Sequence, residues 1–305
     1  MHKLAYPVIF LIYVTCCTAH ATQQIYVTNN GNNTVSLCEL DQSSGKLNQC
    51  TTTGSKFNGP ESITFNHMKN IAYIANNDSH NITQCTRDIT TGALNKCQTS
   101  GRKLFVPSSI KLNYSETFAY ITNYEGSSIT RCSISPNSYK LDHCNTTSAG
   151  FIGPTSIAIS QTTPFTYISD ADRNTLFKCT ISQSDHNVSN CFPTGSGFHS
   201  PQGITLNFNE HYAYISNDWS STVDLCQVDA NSGDLIYCKS VLTGFSGNGS
   251  VALSPDNSHA YIPDAKSNSL LICLIEPSDG TLAHCETSEK TFNNPAGMAI
   301  LDVTN

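Results

Sequence analysis

Residues 118–164 read FAYITNYEGSSITRCSISPNSYKLDHCNTTSAGFIGPTSIAISQTTP. This 47-residue unit recurs six times end to end, from Gln24 to Asn305. Tyr26, Tyr73, Tyr120, Tyr167, Tyr214 and Tyr261 fall at that step. A fixed period of this length signals a propeller, a solenoid or an array. The repeats run 24–70, 71–117, 118–164, 165–211, 212–258 and 259–305.

Within the first repeat, Ile25–Asn29 is a short β-branched and aromatic run, and Thr34–Leu40 alternates at period two; both predict strands. Asn29-Asn30-Gly31-Asn32 between them is turn chemistry. Gly45 marks a hairpin, as do Gly92, Gly233 and Gly280 at the same column. Lys46–Thr52 predicts a third strand and Ile63–Asn66 a fourth. No segment has a helical period. Four short antiparallel strands in each of six equal repeats predict an all-β, six-bladed propeller.

The repeats resemble those of the YVTN-type β-propellers. The resemblance rests on Tyr26-Val27-Thr28-Asn29, Tyr120-Ile121-Thr122-Asn123, the Ser-Gly-Lys-Leu turn at 44–47 and the Pro-x-x-Ile of Pro60 to Ile63. It covers the whole repeat region. It implies that the Pro-x-x-Ile strand is innermost and the Tyr-Val-Thr-Asn strand second. The C-terminal segment Gly297–Asp302 then lies beside Ile25–Asn29 and closes the ring.

Residues 1–21 read as a signal peptide: Lys3, an apolar stretch from Leu4 to Cys17, and Ala19-His20-Ala21 as the cleavage site. Lipidation at Cys16 or Cys17 is the alternative, although Tyr13-Val14-Thr15 lacks the usual small residue. Two of the fourteen cysteines lie in this leader, and the other twelve form one C-x11-C pair per repeat. An even count in a secreted chain predicts disulfides. The pairs are Cys38–Cys50, Cys85–Cys97, Cys132–Cys144, Cys179–Cys191, Cys226–Cys238 and Cys273–Cys285, each across a hairpin in directly opposed, non-hydrogen-bonded positions. Zinc binding needs tighter ligand spacing than this.

The net charge is −7 and no Lys/Arg stripe exists, which excludes a nucleic-acid partner. No second apolar segment predicts a membrane span. The chain is expected to be a monomer without cofactor or metal. Sequons occur at Asn32, Asn77, Asn81, Asn113, Asn145, Asn187 and Asn248, about as many as so Asn/Ser/Thr-rich a chain yields by chance.

Columns shared by all repeats serve the scaffold: the tyrosines, the Ile63 and Phe57 columns, and Asn29, Asn76, Asn123, Asp170, Asn217 and Asp264, read as turn caps rather than ligands. Function is sought where repeats differ. Two variable loops, one after the second strand and one before the innermost strand, belong to the same end of the ring. That end collects Trp219, Tyr124, Glu125, Arg173, Asp218, Phe105 and His199, a pattern suited to a protein or carbohydrate surface. The expectation is a secreted, non-catalytic binding module. The alternative is a lactonase-like or metal-assisted hydrolase with its site at the central opening. The repeats also resemble the seven-bladed lactonase-like propellers, which hydrolyse sugar lactones. Against that stand six repeats instead of seven, and no Arg or His after Pro60, Pro107 or Pro154. Six-bladed calcium hydrolases place Glu, Asn and Asp ligands at the opening, but Glu61 is the only acid in its column here.

Overall fold

A computed structural model describes residues 22–102, 104–245 and 249–303. The segment read as a signal peptide, its two cysteines and the Asn248 sequon lie outside the described residues. Six four-stranded antiparallel sheets form the blades of a propeller, with no α-helix among the described residues. The blades are offset from the sequence repeats. Each takes its innermost strand from the end of one repeat and its other three from the next. The closing blade holds, from axis to rim, Pro295–Val303, Thr22–Asn29, Thr34–Leu40 and Leu47–Thr53. Tyr26 pairs with Ala299 and Ile25 with Ile300, so the ring closes by the C-terminal innermost strand, as the resemblance implied.

Tertiary demands shift the expected boundaries slightly. The innermost strand of the next blade starts at Pro60, three residues before Ile63, and Asn30–Asn32 is a single 3-10 turn. Pro60 can begin a strand because its missing N–H is not needed there.

The six repeated tyrosines are among the largest fully buried side chains. Each hydroxyl donates to a carbonyl on the outer hairpin of the next blade. Tyr26 reaches Gly92 at 2.7 Å, Tyr167 reaches Gly233 at 2.7 Å, and Tyr261 crosses the closure to Gly45 at 3.0 Å. A buried phenol needs such a partner, and here the requirement is met by stitching one blade to the next. Phe57, Phe151, Phe198, Phe245 and Phe292 are buried in the hydrophobic clusters between blades.

All six disulfides form with the expected partners, each between the third and outermost strands of one blade. Their setting differs from simple opposition. In five blades the outermost strand carries a positive-φ residue just before its cysteine, at Lys96, His143, Asn190, Tyr237 or His284, and the pairing register shifts there. This is a β-bulge; in the sixth blade Cys38 and Cys50 are directly paired, and the cysteine Cα atoms lie 4.0–4.1 Å apart in all six. Each bond closes a loop worth about 3 kcal/mol in the chain-entropy model and pins an edge strand. Six disulfides mark a non-cytoplasmic protein. Among the described residues no helix is long and apolar enough to cross a membrane.

Candidate functional site

The two variable loops do meet at one end. Backbone N–H groups of the loops after the second strands donate to carbonyls of the loops before the innermost strands: Asn77 to Gly59, Tyr124 to Val106, Ala171 to Gly153, Asp218 to Ser200 and Asn30 to Asn294. The Asn/Asp column fixes this junction. Asp170, fully buried, accepts from the Ile152 and Gly153 backbone at 2.9 Å. Asn29 accepts from the Asn293 N–H and donates to the Ser36 hydroxyl at 2.9 Å. Asn29 and Asp170 therefore do not cap their own turns in the way the sequence suggested; they tie the loop before the innermost strand to the second strand.

The innermost strands surround the axis. In the column that follows Pro60, the cavity at the upper mouth is lined by Glu61, Ser108, Thr155, Gln202 and Gly249, with Ala296 buried at the sixth position. The following column is Ser62, Ser109, Ser156, Gly203, Ser250 and Gly297, and only small residues occur in it. A Cβ on Gly297 would strike the Glu61 carbonyl and Ser62 Cα, and one on Gly203 would strike Ser250 Cα. This belt is where the six strands crowd. The Ser156 and Ser250 hydroxyls meet across Gly203 at 3.1 Å. The cavity left at the centre has a volume of about 30 Å³. That admits a water and excludes a sugar.

Glu61 is the acid of this cavity. Its Oε2 accepts from Asn30 Nδ2 of the neighbouring blade at 2.9 Å and from Asn77 Nδ2 at 3.3 Å. Protein surrounds it, although part of its surface faces the channel. Burial pushes its carboxyl up to about 7; the amide from Asn30 opposes the shift, and nearby Asp78 adds to it. A carboxyl with that pKa is poised for proton transfer near neutrality. Opposite it, Lys111 lines the same cavity from below, and burial lowers its pKa. Neither group perturbs the other, so they are not an ion pair.

The residues expected from the sequence ring this mouth without entering it. Trp219 is 71% exposed and Phe105 60% exposed. Glu125, Arg173 and His199 are exposed, and Asp218 is partly buried, with its carboxyl pKa raised by desolvation. Tyr124 donates to Asp172 at 3.0 Å, tying two loops together. Glu61 was set aside on the sequence alone, and its partners Asn30 and Asn77 were read only as a turn residue and a sequon. Glu61 and Lys111 are the only charged residues in their columns, and that singularity is the signal that could have found them. Metal-assisted chemistry would need a richer donor set: among the described residues no three His, Cys, Asp or Glu side chains converge.

The chain matches the family model described as lactonase, seven-bladed β-propeller, over residues 17–112, 103–243 and 200–302. A search of curated proteins gave no match. Among solved structures, the chain superposes on a candidate 6-phosphogluconolactonase from Bacteroides fragilis with a TM-score of 0.71 at 14% identity, covering 93% of this chain and 99% of that one. It superposes on the periplasmic gluconolactonase of Pseudomonas aeruginosa with a TM-score of 0.69 at 12% identity, covering 93% and 100%. A chain of a nidogen–laminin complex gives a TM-score of 0.71 at 13% identity, covering 91% and 98%. At these identities the superpositions show the fold. The family match corrects the expectation of a non-catalytic binding module. That expectation failed because it required an Arg/His signature after the Pro column and a seventh repeat; the family accommodates this chain without either. Six blades where its family is described by seven, the chain belongs to the lactonase β-propeller family.

Proposed function

We propose that this protein is a lactonase-like hydrolase of the bacterial-periplasm or extracellular type, exported by cleavage after Ala21, with its site at the upper mouth of the channel. The observation that carries the reading is Glu61: a carboxyl with pKa about 7, held by Asn30 and Asn77 beside a water-sized polar cavity on the axis. The lactone lies across the mouth, because the cavity is too small for it. A water in the cavity attacks the ring acyl carbon while Glu61 removes its proton. The C–O bond of the ring then breaks, and the proton returns from Glu61 to the departing oxygen, leaving a hydroxy acid. The two amides orient the carboxylate. Exposed Trp219 and Phe105 at the same end offer apolar faces to a sugar ring.

The test is hydrolysis of glucono-δ-lactone, followed by acid release and corrected for the spontaneous rate. The wild type is expected to accelerate opening, with kcat/KM rising as Glu61 deprotonates through about pH 7. Glu61→Gln is expected to lose about 10²–10⁴-fold, the usual contribution of a general base. Equal rates for wild type and Glu61→Gln would refute the assignment.

A further inference from the structure

Below the small-residue belt the channel widens into a second cavity of about 420 Å³, open at the opposite end of the ring. This volume falls in the range of small-molecule sites. Its wall is as much polar as apolar, and Phe65, Leu253, Met298 and Ile300 supply apolar side chains to it. No Asp or Glu lines it.

The polar side chains around it are mostly spoken for. Asn66 is used by its own turn, accepting from Asn70 and Ile71 and donating to Asn70 Oδ1 at 2.8 Å. The Thr205 hydroxyl donates to the Val251 carbonyl at 2.6 Å. Lys69 donates to the Asp302 carbonyl at 2.6 Å, and His67 sits beside Glu116. Lys111 at the inner end differs. Among the described residues its ammonium has neither a hydrogen bond nor an ion pair, and the residue is only partly buried. An unpaired cation at the inner end of a cavity is free to take an anion as its partner. The next residues along, Lys111's five counterparts in the other repeats, are Thr64, Ala158, Thr205, Ala252 and Ala299, so the scaffold does not require a lysine there.

We infer that the lower cavity binds a monoanionic carboxylate with an apolar body, whose head group pairs with Lys111 and whose tail lies along the apolar side chains of the wall. A single unsatisfied cation suits one carboxylate; a phosphate dianion calls for more donors than the wall supplies. Burial also lowers the pKa of the amine, and a bound carboxylate would restore its charged form. This site is independent of the hydrolase reading, since its test needs no activity.

The experiment is calorimetric titration of the disulfide-intact protein near pH 7 with octanoate, octanol and inorganic phosphate. Octanoate is expected to bind one per chain, with octanol and phosphate at least about tenfold weaker, the equivalent of one modest charge interaction. Lys111→Met should weaken octanoate at least about tenfold, while Lys111→Arg, which keeps the charge, retains binding. If Lys111→Met melts below the wild type, Lys111→Gln set against Lys111→Arg carries the same comparison. Absence of octanoate binding to the wild type would overturn the inference. So would binding by Lys111→Met or Lys111→Gln as tight as the wild type's, equal binding of octanol, which would assign the wall rather than the ammonium, or equal binding of phosphate.

Discussion

The two mouths of the channel are built from the same six innermost strands, yet one presents a carboxyl and the other an amine. At the upper mouth Glu61 stands among hydroxyls and amides over a cavity of about 30 Å³. At the lower mouth Lys111 heads a cavity of about 420 Å³ with a mixed polar and apolar wall. Each charge occurs in one repeat of six. The difference teaches how a repeat protein acquires chemistry. Columns occupied alike in every repeat hold the ring together. On the reading proposed above, a single departure placed where six strands converge gives the axis its chemistry. Between the mouths runs the belt of Ser62, Ser109, Ser156, Gly203, Ser250 and Gly297, which keeps them distinct.

Breaking that belt is the most drastic way to test the separation. Gly297 packs against backbone of the adjacent innermost strand, so a side chain there cannot be relieved by a rotamer change. Gly297→Val is expected to destabilise by about 3 kcal/mol, the upper part of the range for overpacking. The same change at Ser109, already a residue with a Cβ, should cost less. Thermal melting of both variants measures the difference. Equal melting temperatures would mean that the belt is not tightly packed at the closure, and that the mouths communicate.

The second test uses pH. The folded-state pKa of Glu61, about 7, lies above its ordinary value of 4.5. The folded protein therefore binds this proton more tightly than the unfolded chain does. The associated stability is fully present below about pH 4.5 and is lost as pH rises through about 7. A rise of that size corresponds to about 3 kcal/mol at most; channel exposure reduces it to about 1–3 kcal/mol. Glu61→Gln removes the titrating group. Its stability relative to the wild type should therefore rise by that amount between about pH 4.5 and pH 8. Denaturant unfolding at both pH values reads this directly. A constant difference would show that Glu61 is solvated like a surface acid, and the contrast between the mouths would lose its upper half.

How much of this was legible in the sequence follows from the range of the interactions involved. Strands, hairpins and disulfide pairs depend on neighbours within about a dozen residues, and a column seen six times averages out local ambiguity. Ring closure was legible because the register of the repeats leaves one strand at each terminus. The bulge beside each cysteine was not, because Lys96 or His143 carries no turn chemistry to announce a positive φ. The site was legible only in outline. Both variable loops sit at one end, as read, but Glu61 gains its meaning from Asn30, 31 residues earlier and one blade away. Its desolvation comes from convergence of strands spread over the whole chain. A lone acid in a column looked like too few ligands for a metal; as a base it needs no company of its own kind. Lys111 escaped for the same reason, since its environment exists only once the ring is closed.

The smallest expected effect separates rim from axis. Trp219 is 71% exposed, and no hydrogen bond or ring contact is found for it among the described residues. Trp219→Ala should therefore leave stability within about 0.5 kcal/mol, as surface changes usually do. Tyr120, buried and donating to the His186 carbonyl at 2.9 Å, provides the contrast, with Tyr120→Ala expected to cost about 3–5 kcal/mol. If a lactone lies across the upper mouth, Trp219 contributes through ground-state contact with its ring, not through the reacting carbonyl. Its removal should then raise KM for glucono-δ-lactone while kcat stays at the wild-type value, the signature of lost uniform binding. A fall in kcat at constant KM would move Trp219 from the rim into the reacting geometry. An unchanged KM would place the substrate deeper on the axis, with Glu61 alone defining the upper mouth.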